Sequence, residues 1–135
     1  MSSSSRADRR LDHVGVAVHS IAESAPVFEL LSGETCSAPE MLNAQGVRVA
    51  FVGSVELLEP LAADTAVGRF LGRRGPGLHH VAYGTDDLEG DLARLDAAGL
   101  QLIDRVPRIG AHGHRVAFIH PSSTGGILVE LVERS

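Results

Sequence analysis

The chain repeats itself, and this duplication restricts the possible folds more than any other feature of the sequence. Three segments recur in the same order. The matching pairs are residues 11–14 with 78–81, 46–51 with 113–118, and 55–59 with 129–133. The first two pairs share an offset of 67 residues, and the third has an offset of 74 because residues 120–126 add seven. The repeat predicts two similar modules, about residues 10–61 and 77–133, within a single domain of residues 10–135.

Both modules show the same order of predicted elements, a strand, a helix and then three strands. The predicted strands are residues 11–18, 47–52 and 54–59 in the first module and 78–84, 115–119 and 127–132 in the second, each with a further turn-rich edge segment. A short helix around residues 65–74 joins the modules. Two βαβββ modules predict an α+β fold, with eight strands in a curved sheet around a metal cleft and helices on the outside.

The helix starts carry their own signals. Ser20-x-x-Glu23 has the form of a capping box, and Asp86 and its neighbours open the second helix. Pro26 lacks a backbone N–H, so it predicts a delayed start of the first helix, at Ser24.

The composition limits the partners and the cellular location that we expect for the protein. The net charge of -5 argues against a sequence-independent grip on nucleic acid, which needs clustered basic residues. The single cysteine, Cys36, excludes an intrachain disulfide and fits a reducing, cytoplasmic location. There is no apolar run approaching the ~20 residues that span a bilayer, and we expect no membrane association. Residues 1–9, rich in Ser and Arg, are predicted to form a disordered tail.

Strand parity singles out two histidines. His13 shares a face of the first strand with Gly15 and Ala17, while His80 shares a face of its strand with Ala82 and Gly84. Two very small residues beside each histidine leave empty volume next to the imidazole, as the floor of a pocket requires.

Two glutamates complete the pattern. Glu56 and Glu130 occupy equivalent positions in the last strands of the two modules. A lone buried histidine or glutamate is more often a core residue with its own partner, but four in register predict convergence on one divalent ion. Imidazole and carboxylate ligands suit Zn, Fe, Co, Ni and Mn. Four ligands to an octahedral ion leave two sites for a substrate with two nearby oxygens.

Further motifs make the chain resemble the methylmalonyl-CoA epimerase family of vicinal-oxygen-chelate (glyoxalase-like) enzymes over residues 11–133. The motifs are Asp12-His13-Val14-Gly15, Gln45-Gly46-Val47-Arg48, residues 55–61 (VELLEPL), residues 77–82 (GLHHVA), Pro107-Arg108-Ile109-Gly110-Ala111, His120-Pro121 and residues 125–131 (GGILVEL). The Pro-Arg-Ile-Gly-Ala loop and the Leu-Leu-Glu-Pro-Leu segment are more specific to the epimerases than the paired His and Glu positions.

This resemblance implies that His13, Glu56, His80 and Glu130 are metal ligands and that the substrate is an acyl-CoA, methylmalonyl-CoA, whose central carbon is inverted through an enolate. A base removes the α-proton and an acid returns one to the opposite face. Some epimerases carry a second catalytic Glu where this chain has Val49. We therefore expect Glu56 and Glu130 to be the catalytic pair. Related families also predict a homodimer.

Three other functions stay open at this point. Glyoxalase I chemistry on a glutathione hemithioacetal would use the same four ligands. An iron dioxygenase typically uses two histidines and one carboxylate, and the second carboxylate weighs against it. A metal-free binding module on the same fold would have no need of the quartet.

Several polar residues outside the quartet carry weaker expectations. Glu59 and Glu133 fall on the opposite strand face from the ligands, near strand ends, and are expected to be solvated. Parity does not decide the direction of Arg48 or Arg115. Arg108 either meets CoA phosphates or lies on a solvated surface.

Overall fold

The computed structural model describes residues 10–134 and has three α-helices and eight strands within that range. In chain order they are β1 Leu11–Ala17, α1 Ile21–Ser32, β2 Glu40–Leu42, β3 Val47–Val52, β4 Val55–Pro60, α2 Ala66–Arg74, β5 Gly77–Gly84, α3 Leu88–Ala97, β6 Arg108–Ile109, β7 Arg115–Ile119 and β8 Leu128–Glu133. The tail predicted to be disordered, residues 1–9, lies outside the described residues. None of the helices between residues 10 and 134 has the length and apolar character to cross a membrane.

The strands form one sheet in the order β2-β3-β4-β1-β5-β8-β7-β6. Each half of the chain uses the same pairing scheme. Its first strand pairs in parallel with its last strand, and its other strands follow antiparallel. The parallel pair needs a crossover, which α1 and α3 supply. The predicted α+β fold with eight strands in one sheet is confirmed.

The chain packs as two compact units, Val14–His79 and residues 80–134 together with 10–13. The core of the first unit consists of Val18, Ile21, Ala25, Ala50, Val52 and Leu57. The core of the second unit consists of Leu88, Leu92, Ala117, Ile119 and Leu131. In each unit, therefore, one face of the helix is buried against the strands of the same unit.

Helix α1 begins earlier than Pro26 predicted. Ser20 is its N-cap, and Ser20 Oγ accepts a hydrogen bond from the backbone N–H of Glu23, 3.1 Å away. The side chain of Ile21, the first helical residue, is buried in the core. The predicted delay to Ser24 is wrong because the cap and this buried side chain fix the start. Pro26 lies inside the helix and removes a single backbone donor from its ladder.

Glu59, at the end of β4, also serves the start of α1. Its Oε1 accepts a hydrogen bond from the backbone N–H of Ile21 at 2.8 Å, and its Oε2 accepts one from Arg48 Nη1 at 2.6 Å. The expectation that Glu59 is solvated is wrong. The carboxylate satisfies a helix N–H that has no partner within the helix.

The second unit repeats this arrangement. Glu133 Oε2 accepts a hydrogen bond from the backbone N–H of Leu88 at 3.1 Å, and Glu133 Oε1 accepts one from Arg115 Nη1 at 2.6 Å. Arg115 also pairs with Glu89 in the first turn of α3. Glu133 is thus another helix-capping carboxylate, and the expectation that it is solvated is wrong. The side chains of Arg48 and Arg115, whose direction parity left open, both point toward a capping glutamate.

Candidate functional site

Strand β1 places His13 on its buried face, as parity predicted. His13 is 5% exposed, and Gly15 and Ala17 on the same face are also buried. Val16, on the other face, packs against the core beneath α1. The strand thus separates a histidine with small neighbours from an apolar surface that holds the helix.

Strands β5 and β8 bring a second histidine and a glutamate to the same place. His80 is 3% exposed and Glu130 is 7% exposed. Glu130 lies in register with Ala82 on β5 and with Phe118 on β7. A methyl group as the β5 neighbour leaves room for the carboxylate to reach His80.

Three ligand atoms form a nearly regular triangle. Glu130 Oε1 lies 3.1 Å from His13 Nε2 and 3.3 Å from His80 Nε2, and the two nitrogens are 3.4 Å apart. Ligand atoms about 2.1 Å from a metal are about 3.0 Å apart at right angles and about 3.4 Å apart at the tetrahedral angle. The observed edges span this interval, so the three side chains fit a divalent cation.

The chemistry of the donors agrees with this fit. His13 Nδ1 lies 2.8 Å from Asp12 Oδ2, and a neutral imidazole that donates its proton to this carboxylate would turn the lone pair of Nε2 toward Glu130. A lone pair and a carboxylate oxygen repel one another unless a positive charge lies between them. A divalent cation between them would supply that charge.

Glu56 holds the corresponding position in the other unit. It is 6% exposed and lies in register with Gly15 on β1 and with Phe51 on β3, as Glu130 does with Ala82 and Phe118. Both buried glutamates thus have a small neighbour on one side and a phenylalanine on the other. Glu56 is therefore the counterpart of Glu130 within its own unit.

Asp12 and Arg134 stand behind His13. Arg134 donates from Nε to Asp12 Oδ1 and from Nη2 to Asp12 Oδ2, both at 2.9 Å. Burial raises the pKa of the Asp12 carboxyl, but the hydrogen bonds from Arg134 and His13 outweigh it and hold the pKa below its ordinary value. Asp12 is therefore a carboxylate that is placed to accept a proton from Nδ1 of His13. Asp12 enters the sequence analysis only as part of a motif, and no sequence signal points to Arg134.

Phe118 is the wall of the site beside His80. The two rings meet edge to face with centroids 5.9 Å apart. The guanidinium of Arg108 lies 5.3 Å above the Phe118 ring and is held by Asp104 Oδ2, which also accepts a hydrogen bond from the Phe118 backbone N–H at 2.9 Å. Arg108 thus stacks on the ring next to a candidate ligand. Sequence reasoning assigned no role to Phe118.

Three histidines outside this group of candidate ligands have local contacts. His79 meets Phe70 of α2 edge to face, with ring centroids 4.9 Å apart. His120 Nδ1 accepts a hydrogen bond from the Ser122 backbone N–H at 3.0 Å and orders the turn there. His114 Nε2 lies 3.4 Å from Arg134 Nη1, beside the Asp12 carboxylate.

Comparison with known proteins identifies the superfamily of the chain. Residues 12–118 match the family model of the glyoxalase/bleomycin resistance protein/dioxygenase superfamily. The chain belongs to this superfamily.

Its relatives include methylmalonyl-CoA epimerases, which confirms the resemblance seen in the sequence. The mitochondrial methylmalonyl-CoA epimerase of Dictyostelium discoideum is 36% identical over 131 residues, which cover 93% of this chain and 78% of that protein. YqjC of Bacillus subtilis, an uncharacterised protein, is 47% identical over 128 residues, covering 92% of this chain and 91% of its own length.

A solved structure is similar at the same level. Streptomyces coelicolor methylmalonyl-CoA epimerase, as a single-substitution variant in complex with 2-nitronate-propionyl-CoA, superposes with a TM-score of 0.88 at 34% identity. The match covers 94% of this chain and 95% of that one.

Proposed function

We propose that this protein is a metal-dependent epimerase that interconverts the (2R) and (2S) forms of methylmalonyl-CoA. The observation that carries the proposal is the triangle of His13 Nε2, His80 Nε2 and Glu130 Oε1, with edges of 3.1, 3.3 and 3.4 Å. It is found in a chain whose relatives over nine-tenths of its length include epimerases of this substrate.

His13, Glu56, His80 and Glu130 would hold the divalent ion. Glu56 is included because it repeats the burial and the strand neighbours of Glu130. The ion supplies Lewis-acid stabilisation of the negative charge that develops on the substrate oxygens when the α-proton leaves. Two imidazoles and two carboxylates are compatible with Co, Mn, Ni, Zn or Fe.

Glu56 and Glu130 are the proposed proton carriers. One carboxylate accepts the α-proton from one face of the carbon, and the other carboxyl group returns a proton to the opposite face. Val49 supports this choice of residues. It is apolar and 1% exposed where some epimerases carry a further glutamate, so this position offers no carboxylate as a proton carrier. Burial of both glutamates keeps water from competing for the proton.

Hydrogen exchange tests the reaction directly. Methylmalonyl-CoA is incubated in deuterated water with the metal-loaded enzyme, and loss of the α-proton signal is followed by NMR. We expect exchange together with interconversion of the two epimers, and no lactoylglutathione from the glutathione hemithioacetal. Lactoylglutathione formation without α-exchange would overturn the epimerase in favour of glyoxalase I chemistry. Absence of both reactions, and of bound metal, would favour a metal-free binding module.

Two variants test the proton carriers. Glu130→Gln and Glu56→Gln should each reduce epimerisation by at least about a hundredfold, because a positioned acid or base contributes about 10²- to 10⁴-fold. The matched control is Glu34→Gln, an exposed carboxylate in the loop after α1, which should retain full activity. Full activity of Glu56→Gln with its metal still bound would remove Glu56 from the mechanism.

Two further expectations belong to this proposal. The predicted homodimer is checked by sedimentation of the purified protein at several concentrations. The predicted cytoplasmic location is checked by fractionation of cells that express the chain.

A further inference from the structure

The two halves differ at the residues next to their histidines. Asp12 precedes His13, whereas the repeat position before His80 is occupied by His79. Arg134, which clamps Asp12, corresponds across the repeat to Pro60. The carboxylate and its arginine therefore occur in one half only, and the duplicated site is not symmetric.

The contacts around His13 form a continuous chain of hydrogen bonds. His13 Nδ1 lies 2.8 Å from Asp12 Oδ2, and Arg134 holds both oxygens of Asp12 through two parallel bonds of 2.9 Å. The Asp12 side chain is 12% exposed, and Arg134 is 58% exposed. A two-pronged guanidinium–carboxylate pair fixes the plane of the carboxylate, which in turn fixes the plane of the imidazole.

We propose that Asp12, clamped by Arg134, is a positioning residue that keeps the ring proton of His13 on Nδ1 and directs Nε2 toward Glu130 and His80. A carboxylate on the far nitrogen of a ligating histidine both orients the ring and strengthens it as a donor. The ligand role of His13 rests on the proposed function, whereas the position of its ring proton does not.

The first test therefore needs no metal. Two-dimensional proton–nitrogen NMR of the metal-free protein identifies which ring nitrogen of His13 carries a proton. We expect a proton on Nδ1 in the wild type and loss of that preference in Asp12→Ala. A wild-type His13 with its proton on Nε2 alone would overturn the proposal.

The second test measures cobalt(II) affinity by competition with a chromophoric chelator. Asp12→Ala should bind cobalt about 10- to 100-fold more weakly, the usual cost of losing such a partner. Asp12→Asn, which keeps an acceptor without the charge, should lie between Asp12→Ala and the wild type. Arg134→Gln should weaken binding less than Asp12→Ala, and Arg134→Lys less again.

Controls separate positioning from folding. Arg105→Gln removes an exposed arginine that pairs with Asp96, and it should leave cobalt affinity unchanged. A purely structural role for Asp12 would lower the melting temperature of the metal-free protein without moving the ring proton. Cobalt affinity equal to wild type in Asp12→Ala would overturn the proposal. A wild-type protein that binds no cobalt would instead overturn the metal site, leaving the NMR result to decide the position of the proton.

Discussion

Arg48 donates a hydrogen bond from Nη1 to Oε2 of Glu59, 2.6 Å away, and so holds that carboxylate against the first backbone N–H of α1. The same arrangement recurs in the other unit, where Arg115 holds Glu133 against the start of α3. The duplication has thus preserved a connection between the last strand and the helix as well as the candidate ligands.

Removal of a helix-capping carboxylate should lower stability. We expect Glu59→Ala and Glu133→Ala each to reduce the free energy of unfolding by about 1–2 kcal/mol, the usual cost of losing a cap. Arg48→Gln should cost less than about 1 kcal/mol, because the arginine side chain is 36% exposed and such pairs contribute little. Urea unfolding measures all three, with Glu34→Ala as an exposed control. A larger loss for Arg48→Gln than for Glu59→Ala would contradict the capping role.

Two glycines of α2 should respond in opposite directions to alanine. A Cβ on Gly68 would lie 2.3 Å from the carbonyl oxygen of Ala62 and 2.6 Å from that of Ala63, both backbone atoms. We expect Gly68→Ala to destabilise the protein by about 1–3 kcal/mol through this overlap. Gly72→Ala meets nothing within 4 Å and should stabilise by up to about 1 kcal/mol, because alanine favours helix. Thermal unfolding of both variants checks the signs, and equal effects would contradict the close approach.

Phe118 should influence metal affinity through His80. Phe118→Leu removes the edge-to-face contact with His80 and the stacked guanidinium, and we expect cobalt(II) binding to weaken by about 1 kcal/mol, or about fivefold. Phe70→Leu is the matched control, since Phe70 makes the same kind of contact with His79. It should cost stability and leave cobalt affinity unchanged. Equal loss of affinity in the two variants would indicate a general effect on folding.

Metal content should depend on the two buried histidines. We expect one divalent ion per chain in carefully prepared wild-type protein, and a large loss in His13→Ala and His80→Ala. His19→Ala, an exposed histidine just after β1, should keep the full content. Elemental analysis after gel filtration gives the stoichiometry. Removing the metal with a chelator should also lower the melting temperature, because an ion that binds only the folded state stabilises it by about 2.7 kcal/mol at a hundredfold excess over Kd.

Much of the fold follows from the repeat and from strand parity. The small residues beside His13 and His80 predicted a buried face, and both histidines are buried. Periodicity alone identifies which face of a strand a side chain takes. The Gly and Pro residues that mark most of the turns located the strand ends to within a residue or two.

Strand parity does not predict which residues that are distant in the sequence come into contact. Arg134 and Asp12 are 122 residues apart, and no periodicity connects them. Glu59 and Glu133 were assigned to the correct face, but the start of a helix lies over them and takes up their oxygens. The start of α1 was misplaced for a different reason, since a cap and a buried side chain outweighed one interior proline.

The two outermost strands of the sheet, β2 and β6, have three and two residues. A long, unpaired edge strand is a template to which strands of other molecules can pair, and such pairing leads to fibrils. Edge strands as short as β2 and β6 present few unpaired backbone N–H and C=O groups to a neighbouring molecule. Short edge strands are one of the ways in which a sheet limits edge-to-edge aggregation, and both ends of this strand order have them.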